Sequence, residues 1–247
     1  MAQGRRDDNS HYISLSDIMT ALMLVFLFIA VSFMIDITNR HKIDDQCQKM
    51  TAEYHDKKEQ LYGNLKREFR NDLKEWNAEI TPDLVMRFHD DAVQFESDQA
   101  ILQDEFKEKL AEFFPRFLKQ VKKFENNVQE IRIEGHTDTS GPCDVRQEYG
   151  CVMRDGPYSI EGDFTNSEKN YLYNMALSQA RAKSVLAYCL TQVDDFEYMK
   201  QNITANGLSY SKLITDKNGR ENKAASRRVE FRVLLKTNIE EIGKNKK

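Results

Sequence analysis

Three groups of residues in this 247-residue chain have side chains and spacings able to do chemistry. The first is Asp17, which stands directly before the apolar run Ile18–Ile35, where Thr20 and Ser32 are the polar members. An ionisable group just inside a membrane span is costly in lipid and marks a functional candidate, since desolvation favours its neutral form and lets it exchange a proton near neutral pH. The competing reading keeps Asp17 at headgroup level, in the first turn of a helix capped by Ser14, where an acid favours the helix dipole. The second group is Asp138, on a loop that directly follows a strand pattern, together with Asn174, Leu177 and Arg181. The last three are spaced i, i+3, i+7 and share one helix face, across which the Asp138 loop can lie. The third group is cysteine: Cys143 and Cys151 bracket a loop-like stretch and form either a disulfide in an oxidising compartment or two thiols. No CxxC occurs, which argues against zinc. His136 has no second His or Cys at ligand spacing and reads as structural. Ser178 lacks a base partner, so no hydrolase triad is expected, and no metal site, cofactor or enzyme activity either.

The elements that must position these residues begin with a membrane span. About eighteen to twenty apolar residues match a bilayer core, and counting from Tyr12 to Ile35 gives a helix of about 36 Å. A cleaved signal peptide fits poorly, because Asp36, Thr38, Asn39 and Arg40 follow the run rather than a small-residue cleavage site. Arg5 and Arg6 before the span balance Arg40 and Lys42 after it, so flanking charge does not set the orientation. Net charge is −4 with no long basic run, which gives no support to nucleic-acid binding.

From Asp36 to Ile80 the apolar positions fall at Ile43, Cys47, Met50 and Tyr54, then Leu61, Leu65, Phe69, Leu73, Trp76 and Ile80, with Pro82 as the stop. One stripe on so long a helix predicts a parallel coiled-coil dimer, with Cys47 able to bridge two chains at its seam; the alternative is an amphipathic helix lying on the globular domain. Over about 45 residues such a stalk reaches roughly 65 Å. Beyond it the patterns predict a strand at 84–88, a helix at 99–123 that Pro115 kinks or divides, a strand at 128–134, a loop from Gly135 to Asn170, a helix at 174–190, a strand at 202–205 and a final strand at 228–235. Strands separated by helices give an α+β domain, a mixed sandwich whose sheet is covered on one side. The expected organisation is a tail at 1–11, a transmembrane helix at 12–35, a helical stalk at 36–81, a globular domain at 82–236 and a tail at 237–247.

Three ordered blocks, Ile133-Glu-Gly-His-Thr-Asp138, Leu177-Ser-Gln-Ala-Arg-Ala182 and Ser226-Arg-Arg-Val-Glu230, resemble the signatures of the OmpA-like peptidoglycan-binding domain, the family that includes MotB. The resemblance implies a pocket for a stem-peptide residue carrying an amine and a carboxylate, with Asp138 for the amine and the Arg181 fork for the carboxylate. It adds Thr139, Tyr173, Asn174 and Leu177 as pocket neighbours. Two departures stand out: the segment between Asp138 and Asn174 is long, and Ser226 replaces the usual Asn, which puts a turn contact in question. Ser16-Asp17-Ile18-Met19 through Met23 resembles the MotB membrane motif, whose Asp carries the ion, and Leu22–Ile29 looks closer to the ZorB subunits of Zorya anti-phage defence. These likenesses imply a homodimer inside a ring of multi-pass MotA- or ZorA-like subunits, conducting H+ or Na+, held by peptidoglycan. They place it in the bacterial inner membrane as a single-pass protein with a cytoplasmic N-terminus and a periplasmic domain; a flagellar stator and a passive wall tether are the rivals.

Overall fold

A computed structural model describes residues 7–89, 94–95, 99–151 and 162–236, with side chains from Asp17 onward. The expected tail at 237–247 and the first six residues of the tail at 1–11 lie outside them. The chain divides into two units between Glu53 and Tyr54.

In the first unit the described backbone is helical throughout, the leading part of α1 (Asp7–Glu68). Residues 17–42 are all exposed, including every large apolar side chain from Ile18 to Ile37. An 18-residue window of this helix has a mean hydropathy of 2.8 and none of it is buried, as expected of a surface whose solvent is lipid. Because α1 starts at Asp7, Asp17 lies about three turns inside the helix. The first-turn reading of Asp17 is therefore corrected.

The second unit, Tyr54–Lys236, contains the rest of α1, then α2 (Asp72–Glu75), β1 (Ala78–Thr81), β2 (Val85–His89), α3 (Asp104–Lys122), β3 (Val128–His136), α4 (Asn166–Leu190), α5 (Phe196–Asn202), β4 (Ile203–Gly207), α6 (Lys223–Ser226) and β5 (Arg228–Leu235). The strands form one sheet in the order β1-β2-β5-β3-β4. Among the described residues only β3 and β4 run parallel, Ile131 opposite Ile203 and Gly135 opposite Gly207; such a pair needs a crossover, which α4 and α5 supply. The central strand β5 is antiparallel to both neighbours, setting Phe231 opposite Met86 and Ile133.

One sheet face carries the core. Phe113 of α3 is fully buried, with ring centroids 5.0 Å from Phe231, 5.0 Å from Phe117, 5.1 Å from Phe88 and 5.2 Å from Phe69. Eight buried residues on one side of α3 fix it, and it runs unbroken through Pro115. The expected division there does not occur, because packing of this face outweighs the lost backbone bond.

The apolar stripe after the membrane span is divided rather than continuous. Leu61, Leu65, Phe69 and Trp76 belong to this chain's own core, and Ala78–Thr81 pairs with β2 instead of extending a helix. The globular unit therefore begins at Tyr54 rather than 82, and a coiled-coil seam over the lower stalk is corrected. A stripe at three- and four-residue steps reports only that one helix face is covered, by a second helix or by a sheet. Ile43, Cys47 and Met50 lie outside that core, Cys47 exposed with a free thiol.

Alternation along the strands sends a second set of side chains to the opposite face. There the fully buried Glu230 accepts hydrogen bonds from Arg87 Nε at 2.7 Å, Arg228 Nε at 2.7 Å and Arg232 Nη2 at 2.9 Å, and Arg232 Nε reaches Glu134 at 3.0 Å. Burial pushes the Glu230 carboxyl up, but the charge and hydrogen bond of Arg228, with the bond from Arg87, outweigh it and hold the group at about 2.

Candidate functional site

The site is built where α4 crosses the parallel strand pair. Gly135 and Gly207 face each other in register, and a Cβ on either would stand 2.4 Å from Ser178 O or 2.3 Å from Gln179 N. Two glycines at this spot let the helix backbone rest directly on the sheet. Ser178 completes the seat: its Oγ accepts from Ser209 N at 3.0 Å and donates to Met175 O at 3.0 Å. Leu177 and Arg181 are thereby aimed past the end of β3, where the chain turns into the Thr137–Pro142 loop.

Between helix and loop lies a cavity of about 240 Å³, lined by Thr137, Asp138, Ser140, Gly141, Pro142, Tyr173, Asn174, Leu177, Arg181 and Arg227. Of the expected site residues, it gathers Asp138, Tyr173, Asn174, Leu177 and Arg181. Asp138 is 5 % exposed; its Oδ1 accepts from Ser140 N at 2.9 Å and its Oδ2 from Arg227 Nη1 at 2.6 Å. Arg181, 3 % exposed, donates from Nε to Gln99 O at 2.9 Å, and its guanidinium lies 4.8 Å from the centroid of the Phe95 ring. Thr139 is turned away from the cavity, with N and Oγ1 bound to the Glu221 carboxylate at 3.0 and 2.5 Å. Two guanidinium groups and one carboxylate thus share a partly enclosed volume. That set suits a ligand presenting a carboxylate and an amine.

Three contributors were not legible as site residues. Arg227 lies in the third block, yet nothing in its spacing says that it clamps Asp138. Asn166 and Asn170 fall in what reads as loop, whereas α4 begins at Asn166, eight residues before the strong helical pattern. The signal was available: Thr165-x-x-Glu168 is a capping box, with Glu168 N donating to Thr165 Oγ1 at 3.3 Å and Thr165 N to Glu168 at 2.9 Å.

Cys143 and Cys151 are bonded to each other, Cα to Cα 5.4 Å, so the two-thiol alternative is set aside. Ser226 does make a turn contact in place of Asn: its Oγ accepts from Ile214 N at 3.0 Å. Asp17 is exposed on the lipid-type helix and belongs to the other unit. His136 is buried beside Glu230 and Glu134, at 3.7 and 3.9 Å, and these three could converge on a cation. Arg87, Arg228 and Arg232 already fill that space with positive charge, which opposes a metal there. Burial, with the charge of Arg228 next to it, lowers His136 to about 3 and keeps it neutral.

No family model matches the chain. Curated relatives do. The chain is 33% identical over 238 residues to Zorya protein ZorB of Escherichia coli strain Crooks, covering 94% of this chain and 91% of that protein. It is 27% identical over 246 residues to a Zorya protein ZorB of E. coli O139:H28, covering 93% and 83%. Among solved structures, a MotB-like protein from Desulfovibrio vulgaris shares the fold, with a TM-score of 0.50 at 21% identity over 75% of this chain and 98% of that one. With one lipid-type helix among its described residues, a C-terminal α+β unit that shares the fold of a MotB-like protein, and identity to ZorB across nearly its whole length, the chain is a single-pass membrane protein that belongs to the ZorB family.

Proposed function

We propose that this chain is the wall-anchored, ion-carrying subunit of a stator-type motor in anti-phage defence. The observation that carries the anchoring half is the cavity in which Asp138 and Arg181 face one ligand volume. In this reading the peptidoglycan stem peptide enters there, its amine toward Asp138 and its carboxylate toward Arg181 and Arg227. The Cys143–Cys151 bond fits an oxidising compartment, which supports a periplasmic domain, a cytoplasmic N-terminus and the bacterial inner membrane as the site of the span.

Two copies stand inside a ring of multi-pass ZorA- or MotA-like subunits, each Asp17 taking and releasing a proton, or pairing with sodium, as ions run down their gradient. A unit charge crossing the membrane releases roughly 2.3 kcal/mol per 100 mV. Wall binding keeps the dimer from turning, so the ring turns, and its motion passes the infection signal to cytoplasmic effectors.

The test is phage protection by the complete system carrying Asp17→Asn or Arg181→Glu. Both changes are expected to abolish protection with normal membrane levels of the protein. Protection that survives Asp17→Asn but not Arg181→Glu indicates a passive wall tether and removes the ion-carrying role.

A further inference from the structure

Three asparagines on α4 read the backbone of the loop that forms the opposite pocket wall. Asn166, Asn170 and Asn174 are spaced by four, lie on one helix face, and are 1, 2 and 3 % exposed. Asn174 Nδ2 donates to Ser140 O at 2.7 Å. Asn170 accepts from Cys143 N at 2.9 Å and donates to Cys143 O at 2.8 Å. Asn166 accepts from Cys151 N at 3.1 Å and donates to Asp144 O at 3.1 Å. The loop fits closely against this ladder: a Cβ on Gly141 would stand 2.4 Å from the Asn170 carboxamide. Between the second and third attachment points, the Cys143–Cys151 bond closes the segment on itself.

Buried carboxamides are costly unless paired, so each is either bound to this loop or a liability. The same helix carries Leu177 and Arg181 one and two turns further on. The distance between the Arg181 wall and the Asp138–Pro142 wall is therefore set by Asn174, which lines the cavity, and by Asn170 and Asn166, which do not. We propose that Asn170 and Asn166, together with the Cys143–Cys151 bond, form a positioning device that fixes the width of the pocket, and that ligand affinity depends on the oxidation state of this bond. The inference rests on the reading of the cavity as the wall-binding pocket. Reduction by a dithiol delivers two electrons and two protons to the sulfur–sulfur bond, which opens to two thiols while the reagent closes to its own disulfide. The Ser140–Pro142 wall then loses its covalent closure and keeps the asparagine bonds together with those of Ser140 to Asp138 and Lys223.

The test uses full-length protein in detergent, with sacculus co-sedimentation for affinity and hydrogen exchange at the Cys143 amide for loop order. Wild type is compared with Asn170→Ala, the isosteric Asn170→Asp, which keeps the acceptor but loses the donor, and Arg181→Ala. Asn170→Ala and dithiol treatment of wild type are each expected to speed exchange at Cys143 about tenfold and weaken wall binding about tenfold, with Asn170→Asp intermediate. Re-oxidation of the reduced wild type restores both readings, which a mere loss of folded protein would not do. Unchanged affinity in Asn170→Ala and in reduced protein, with Arg181→Ala defective, overturns this proposal and leaves the pocket reading intact. Wild type that does not sediment with sacculi overturns the pocket reading and the affinity claim with it.

Discussion

His136 offers a sharp test of how the outer sheet face is held. It is 2 % exposed, neither ring nitrogen has a hydrogen-bond partner, and it is lowered to about 3 by burial and by Arg228. In the unfolded chain an ordinary imidazole protonates near 6.5, so between the two values the unfolded state binds the extra proton. Stability contributed by this group is thus present above the unfolded value and is lost as pH falls toward the folded one. Between pH 7 and pH 5 the linkage amounts to about 2 kcal/mol, from the unfolded-state protonation at a reference of about 6.5. Glu230, held at about 2, adds its loss mostly below pH 4.5 and barely enters this window. The perturbation is His136→Asn, and the assay is urea unfolding at pH 7 and pH 5 followed by fluorescence. Trp76 is the single tryptophan and is buried against Phe69 and Phe113, so it reports on this unit alone. His89 is also lowered by burial and contributes alike in both proteins, so wild type is expected to lose about 2 kcal/mol more than His136→Asn between the two pH values. An equal loss in both proteins would refute the assignment of this linkage to His136.

Other consequences follow from the packing. Phe113→Ala removes the ring at the centre of the aromatic cluster and is expected to cost about 3–5 kcal/mol in the same unfolding assay. Arg116 donates to Glu68 at 2.9 Å and to Asp72 at 2.8 Å, joining α3 to the end of α1 and to α2; Arg116→Ala is expected to cost about 1–3 kcal/mol, since its partners are only partly buried. Gly135→Ala puts a methyl group against the α4 backbone and is expected to lower the melting temperature and wall binding together, whereas Gly63→Ala, where the added Cβ meets nothing, is expected to be neutral or stabilising.

Much of this architecture was legible in the chain. The lipid-type run before Asp36, the alternation at 228–235 and the helix through Leu177 and Arg181 carry strong local periods, and the structure has an element at each. The three blocks told where Asp138 and Arg181 sit, because a motif that seats a helix on a glycine pair is short and rigid. What was not legible depended on partners. The stripe from Leu61 to Trp76 has the spacing of a seam, and only the sheet reveals what covers it. The strand at 84–88 begins one residue later, since Leu84 takes a left-handed turn conformation with φ 58°. Asn166 and Asn170 hid in a polar stretch because buried and solvated asparagines look alike in sequence. Arg227 could not be assigned to Asp138, 89 positions away, from any local pattern.

The central claim is that the cavity between α4 and the Asp138 loop grips the cell wall, and the most direct measurement is the affinity of the purified chain for isolated sacculi. Wild type is expected to co-sediment saturably. Arg181→Lys, which keeps the charge but loses the fork, is expected to weaken binding by about 10- to 100-fold while the unit stays folded, its melting temperature lowered only by the lost bond to Gln99 O. Equal binding by both proteins, or no saturable binding by wild type, would contradict it.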